Sequence, residues 1–426
     1  MRNNKQRKVN NMELKTRYQY TYFIHTFLIN NNRYEKYIAR LLKDEKFNLR
    51  IFQKDKDLEL YSYFLPRMRN YLFKTFDFNK ERLEKLEKLP FDTKCAIISD
   101  MPCVTFEYNF KKDLQGKTID ENSIFFKIQK VSVVCFNTGI CFLCIKTNIE
   151  ESDKFADVLN FNYKFRDINQ EYNNLKNYDN IKLQADYFAD IQEIKNFITD
   201  ITGPNFDAMK IDLNVERFYT FGYTCIDQSA WNVNTTFESI KSEFLKYIDI
   251  LPNDKGMNID ENENTKIISN SKFSKIGVSK LGVNLFSSDV DINNYTILPQ
   301  EYENQYFYTY ILALYLKVYL KKLDYDFKIG KDIEKTRKEF VEFTKKVWVQ
   351  EITSEDFGSL LYQSIRKVIE LEEQYGKIKN KYDILYRELR IVKTEKIGMF
   401  IAISTVVMLI MLITLLLNSH NRNCIK

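Results

Sequence analysis

Histidine, the usual general base and a frequent metal ligand, occurs only twice in the chain, at His25 and His420. Neither has a second histidine nearby, so local spacing offers no metal-binding pair, and His25 sits in an aromatic, β-branched run where packing is its expected role. Seven cysteines (Cys95, Cys103, Cys135, Cys141, Cys144, Cys225 and Cys424) are an odd number. All but Cys424 fall on the cytosolic side of the topology derived below and are expected as reduced thiols. Cys141 and Cys144 form a CxxC inside the apolar run ICFLCI, where a three-residue step along a strand sends the two side chains to opposite faces. A pair of buried small hydrophobes is expected there, not a redox or zinc site. Asp260, Glu261 and Glu263 crowd together, but without the glycine and terminal glutamate of a calcium-binding loop; they read as a solvated loop. No GxSxG, HExxH, Walker, Rossmann or kinase pattern is present. The sequence therefore nominates no catalytic residue, no metal ligand and no cofactor.

The remaining polar groups in a telling position are Ser404, Thr405 and Thr414, embedded in IGMFIAISTVVMLIMLITLLL at residues 397–417. As a helix that stretch spans about 31 Å, the thickness of a bilayer's hydrocarbon core, so it predicts one transmembrane helix. Only these three side chains could line a path or bond across helices within it. The flanks predict the orientation. Lys377, Lys379, Lys381, Arg387, Arg390, Lys393 and Lys396 precede the span, whereas Arg422 and Lys426 follow it. The positive-inside rule then puts the N-terminal part in the cytoplasm and the tail 418–426 outside, as in a single-pass protein of a bacterial inner membrane.

Sixty-four Lys and Arg against 58 Asp and Glu leave a net charge of +6 spread along the chain, which gives no support for nucleic-acid binding. The arm 1–17 is basic and polar and lacks the apolar core of a signal peptide, consistent with a cytosolic first domain. Abundant Asn, Lys, Ile and Tyr, with few Gly and Pro, match the amino-acid usage of an AT-rich bacterial genome.

The elements that must position any site follow in order. Residues 18–29 predict a strand and 31–43 a helix, the start of an α+β or α/β domain over 18–203. Pro66 suits the first turn of a helix, and 79–88 reads as a short solvated helix. Residues 95–108 read as two extended runs split at Met101-Pro102. The runs 123–136 and 140–149 flank Asn137-Thr138-Gly139 and predict a hairpin. Helices are expected from Ser152 towards Phe165 and over 186–201, with a boundary at Thr202-Gly203-Pro204. A second α/β part, 204–298, carries a strand at 216–226, a Thr-capped helix over 235–248, a mobile loop at 253–270 and extended segments over 272–287.

From residue 299 the pattern is helical throughout. Residues 300–323 and 331–349 read as two amphipathic helices joined at Gly330. A third begins near Ser354 and bears Leu361, Ile365, Val368, Leu371, Tyr375, Ile378, Tyr382, Leu385, Leu389 and Val392. From Leu371 the spacing alternates strictly between four and three, with one extra three-residue step between Val368 and Leu371. With no proline in the way, this predicts one helix running from Ser354 through the span. The stripe fits packing on the two preceding helices as a bundle, or self-association.

This layout, with a cytosolic α/β domain, a helical stalk at 299–396 and the run KIKNKYDILYRELRIVKTEKIGMFIAISTVVMLIMLITLLL entering the membrane, resembles the CorA-type magnesium transporters and the divergent CorA-like membrane proteins of antiphage and CRISPR systems. The resemblance covers about a tenth of the chain. The family's Gly-Met-Asn motif is absent, since Phe400 follows Gly398-Met399, and so is a second span. The resemblance implies a homo-oligomer whose cytosolic domain senses a ligand or protein partner and whose output is ion transport or membrane disruption. The alternative is a membrane-tethered scaffold without a pore.

Overall fold

The strand β1 (Thr16–Leu28) alternates its side chains between two buried layers: Tyr20, Tyr22 and Ile24 face one core, and Phe23 and Phe27 the other. Both faces are apolar because helices cover both, which makes the domain an α/β/α sandwich. The computed structural model describes residues 13–110, 114–118, 123–167, 182–184, 192–203, 211, 217–255, 265–330 and 332–423, leaving the side chains of some of these aside.

After β1 come α1 (Asn31–Lys43), β2 (Phe47–Leu49), α2 (Leu58–Tyr63), α3 (Pro66–Leu72), α4 (Lys80–Lys88), α5 (Phe91–Ser99), β3 (Cys103–Tyr108), β4 (Leu114–Lys117), β5 (Phe125–Phe136), β6 (Ile140–Ile149), α6 (Phe155–Phe165), β7 (Lys182–Gln184), β8 (Gln192–Glu193) and α7 (Ile194–Thr202). Then follow β9 (Tyr219–Ile226), α8 (Lys241–Ile248), β10 (Lys266–Ser271), β11 (Ser274–Val278) and β12 (Gly282–Ser288). Two short helical turns and a π-helical turn, Tyr302–Tyr306, lead into α9 (Phe307–Ile329), α10 (Ile333–Lys346), α11 (Asp356–Val368) and α12 (Leu371–Asn423).

The strands form a single sheet in the order β10-β11-β12-β9-β1-β6-β5-β4-β7-β8, with β3 also on β5 and β2 on β3. Among the described residues every strand pairing is antiparallel except β9 with β12. The sheet runs straight across the expected boundary at residue 203, because β9 pairs with β1 from Thr16↔Ile226 to Ile24↔Tyr219. The β5–β6 hairpin turns at Gly139, whose φ of +81° puts it in the left-handed region. A Cβ there would lie 2.1 Å from the Ile29 carbonyl oxygen, so the turn requires glycine.

Several sequence expectations need correction. Residues 91–99 are helical, not extended: Pro90 starts the helix, and Cys95 and Ile98, three apart, pack into the core that α1 also fills. A short apolar run does not distinguish the two periods. The Ser152 hydroxyl accepts from Lys154 N and donates to Asp157, forming a turn ahead of α6, which begins only at Phe155. Likewise Thr235 accepts from Asn232 N, and the helix expected from it starts at Lys241 after a 3₁₀ turn. The expected loop 253–270 ends in a strand, since β10 pairs with β11, and its acidic centre lies outside the described residues.

The larger corrections concern the helical part. The first helix is not amphipathic: its middle, from Tyr310 to Leu316, is no more than 1% exposed at seven successive positions. It lies across the sheet with Tyr315 stacked on Phe136 at 3.8 Å between centroids. Nor is the third helix continuous from Ser354. It breaks at Glu370, whose φ is +60°, and a new 53-residue helix, α12, begins at Leu371. The irregular three-residue step in the stripe falls at this break.

Candidate functional site

Among the described residues no group of three His, Cys, Asp or Glu side chains is placed to hold a metal ion. His25 is buried between Phe27 and Phe218, its Nδ1 has no hydrogen-bond partner among the described residues, and burial pushes its pKa down to about 4. Cys141 and Cys144 face opposite layers, as their spacing predicts, and burial raises the Cys144 thiol. Neither constellation has the geometry of an active centre.

Charged residues gather instead where the sheet meets the helices. The first group joins β6 to the π-helical turn: Lys146 Nζ lies 2.6 Å from Glu303 Oε2, Tyr22 donates to Oε1 at 2.5 Å, and the Lys146 ammonium lies 4.4 Å from the Tyr20 ring centroid. Burial would raise the Glu303 carboxyl, but Lys146, the Tyr22 hydrogen bond and Lys130 together outweigh it and hold the group below the usual glutamate range. Beside it, Arg50 contacts Asp57 and Glu107, and Lys130 contacts Glu107. The cavity between them is about 40 Å³, room for a water or so, and its charges are mutually paired. This cluster fastens α9 to the sheet.

The second group brackets the break before α12. Arg366, buried in α11, donates Nε and Nη2 to Glu372 Oε1 at 2.9 and 2.6 Å and Nη1 to the Val349 carbonyl at 2.8 Å, and lies over the Trp348 ring. Glu370 itself pairs with Lys280 from the β11–β12 turn at 2.7 Å. Behind it, burial, with a contribution from Lys280, pushes Lys317 down to about 8.

The third group has room for a ligand. Between α9 and α12 lies a cleft of about 490 Å³, within the range of small-molecule sites. Leu320 and Ile378, both buried, line its floor with Ile211, and Tyr325 lines its side. Its rim carries Lys321 and Lys328 from α9 and Lys377 and Lys381 from α12. Asp324, the one carboxylate among its described lining residues, pairs with Lys381 across the two helices and with Lys328 at 2.9 Å. Burial would raise Asp324, but these two ammoniums outweigh it and hold its carboxyl low. On the other side of Tyr325 a cleft of about 620 Å³ carries both signs of charge, Lys322 and Lys335 beside Asp326, Asp332 and Glu339.

Sequence reading placed Lys377 and Lys381 among the basic residues before the span and did not connect them with Lys321 and Lys328. Their signal is the seven-residue step from Lys321 to Lys328 and the four-residue step from Lys377 to Lys381, each placing a pair on one helix face.

The stripe residues of α12 occupy the bundle interface at its lower end. Leu371 and Ile378 are buried, Tyr375 stacks on Trp348 at 4.3 Å, Tyr382 meets Phe340 at 5.2 Å, and Leu385 packs on the same core. The side chains of Leu389 and Val392 lie outside the described residues. Above that level Ile384 and Ile391 are exposed at 57% each. The helix then enters Thr394–Leu415, a 22-residue segment long and apolar enough to cross a membrane and not buried against the rest of the chain. Within it Ser404 is partly exposed, and the Thr405 and Thr414 hydroxyls donate to the carbonyls of Ile401 and Met411 in their own helix. Residues 1–12 of the basic arm and Cys424 lie outside the described residues.

No protein-family model matches the chain, and neither the curated proteins nor the solved structures contain a significant match to it.

Proposed function

We propose that the protein is anchored in the bacterial inner membrane by the apolar end of α12 and that its cytoplasmic α/β/α domain senses a ligand or partner and passes its state through α12 to the bilayer. One observation carries the reading. The helix whose lower turns pack on α9 and α10 is the same helix that continues as an uncovered apolar segment of membrane-spanning length. In water so much contiguous apolar surface is a liability, and in lipid it is the expected solvent-facing surface. The basic residues from Lys377 to Lys396 support the cytoplasmic placement of the domain.

In this reading the output is CorA-like: homo-oligomers conduct ions or breach the membrane, since one uncharged helix cannot enclose an aqueous path. The test is cation flux from indicator-loaded liposomes carrying the purified full chain, with and without cytosolic extract. Flux that depends on oligomers and changes in Ser404→Leu or Thr405→Leu supports conduction. Normal insertion and oligomerisation without flux in either condition overturns it. A specific observation favours the second reading, a membrane-tethered scaffold without a pore: the Thr405 and Thr414 hydroxyls are spent on their own backbone, leaving little polar surface to line a path.

A further inference from the structure

Ile384 and Ile391 lie seven residues apart on α12, each 57% exposed, and Gly398 continues the series one heptad further. At about 100° per residue the three stand about 120–160° round the helix from Ile378, so their face is distinct from the one that packs on the bundle. A Cβ built on Gly398 would meet nothing within 4 Å, which leaves the backbone there open to close approach. Lipid does not reach the whole of this face. Ile384 precedes Thr394 by ten residues, about 15 Å along the helix, whereas a headgroup layer is only about 5–7 Å thick.

The charges beside the face point to its occupant. Arg390 and Glu395 are exposed, and their side chains form no ion pair among the described residues. They lie five residues and about 140° apart round the helix, too far to meet within it. In a parallel coiled coil, that five-residue step joins the flank of one helix to the facing flank of its neighbour, where salt bridges set partner and orientation. With Ile384, Ile391 and Gly398 at the core position, Arg390 and Glu395 fall on those two flanks.

We propose that α12 of a second copy of this chain packs on this face, parallel and in register, with Ile384 and Ile391 against their counterparts and Arg390 of one copy paired with Glu395 of the other. This rests on the membrane anchor proposed above and supplies an interface for its oligomer. A shared bilayer holds both copies of α12 parallel and at one depth, the arrangement that the flanking charges require. One heptad earlier the corresponding flanks are Asp383 and Glu388, two like charges, and Arg387 interrupts the apolar seam. The contact is therefore strongest next to the membrane, where Gly398 and Ala402, one turn apart, carry it into the span.

The experiment uses the full chain with Cys424→Ser, inserted in liposomes of neutral lipid; the other six cysteines are buried. Ile391→Cys is expected to give a disulfide-linked pair on mild oxidation, because facing core positions bring the Cα atoms within the roughly 4.4–6.8 Å that a disulfide needs. Lys396→Cys, exposed at nearly the same depth on the other side of α12, should link at least about tenfold less. In micelles, Ile384→Asp with Ile391→Asp should raise the dissociation constant about tenfold or more. Arg390→Glu should weaken the pair, and adding Glu395→Arg should restore it. Thermal melting matched to wild type shows that each variant is folded, as expected of exposed positions. Absent linking at position 391, equal linking at 391 and 396, unchanged association of the folded double-aspartate variant, or no rescue by the charge exchange overturns the proposal. Linking of Ile391→Cys in native membranes to a different protein alone also overturns it and gives the face to another partner. Resistance to alkaline extraction separates the two failures: a chain that inserts without linking loses the interface and keeps the anchor, whereas a chain that is extracted loses both.

Discussion

The Arg366 guanidinium and the Glu372 carboxylate meet across the break between α11 and α12, Nε and Nη2 both donating to one oxygen. Arg366 is buried and its partner is half exposed, so the two sides of the pair are unequal. The buried cation also donates to the Val349 carbonyl and to the Tyr362 hydroxyl.

Removing the buried member should therefore cost far more than removing the exposed one. Arg366→Ala strips partners from buried polar groups and is expected to destabilise the α/β/α domain by about 3–5 kcal/mol. Glu372→Gln leaves a site that water can reach and is expected to cost about 1 kcal/mol. Denaturant midpoints of the full chain in micelles check both; equal losses would show that the break is not pinned by burial.

His25 gives the domain a pH dependence with a definite sign. Its folded pKa is lowered to about 4, so the unfolded chain takes up the proton first as pH falls. Stability from this group is fully present above the unfolded value of about 6.5 and is lost between there and about pH 4. The loss expected over that window is about 3 kcal/mol, and His25→Leu should flatten it. Unfolding free energies measured at several pH values on both proteins give the slope directly. An unchanged slope in the variant would assign the dependence elsewhere.

The two sides of α12 should respond oppositely to substitution. Ile378 is 2% exposed against the bundle, and Ile378→Ala is expected to cost about 2–5 kcal/mol. Ile384 lies uncovered six residues on, and Ile384→Ala should stay within about 0.5 kcal/mol in the isolated protomer. A larger effect at Ile384, appearing only at concentrations where the protein self-associates, would place a second copy against that face.

Membrane crossing predicts a split result from reporters. One fused before Met1 should be cytoplasmic and one after Lys426 external, and Ile410→Arg should reduce insertion by placing about 2.5–3.5 kcal/mol of unfavourable charge near the middle of the span. A cytoplasmic signal from both ends would remove the anchor from the account.

How much of this was legible in the sequence follows from which interactions are local. The β5–β6 hairpin was, because Gly139 and the flanking alternation sit within one stretch of chain. So was the apolar end of α12, whose length alone speaks. The break at Glu370 left a trace, the irregular step between Val368 and Leu371, although no Gly or Pro marks it: the left-handed residue is a glutamate held by Lys280 and by the Arg366–Glu372 bridge, both long-range or tertiary choices. α9 was misjudged as amphipathic because Lys317, Lys321 and Lys322 suggest a solvated side, whereas Tyr310 to Leu316 are buried all round, with Tyr315 against Phe136 of the sheet and Tyr71 of α3. The lysines of the cleft come from segments some fifty residues apart in sequence, and only the packing of α12 on α9 brings them to one rim.

The pinned break at Glu370 makes α12 a lever. From Leu371 to Thr394 the helix is about 35 Å long and unbroken, so a rotation of about 5° at its pivot would carry the start of the apolar segment about 3 Å sideways. Lys381 and Asp324 grip the arm between pivot and load, where a small gain or loss of hold is magnified at the far end. Stiffness, rather than a travelling chain of side-chain rearrangements, would then be the means by which an event in the cleft reaches the lipid.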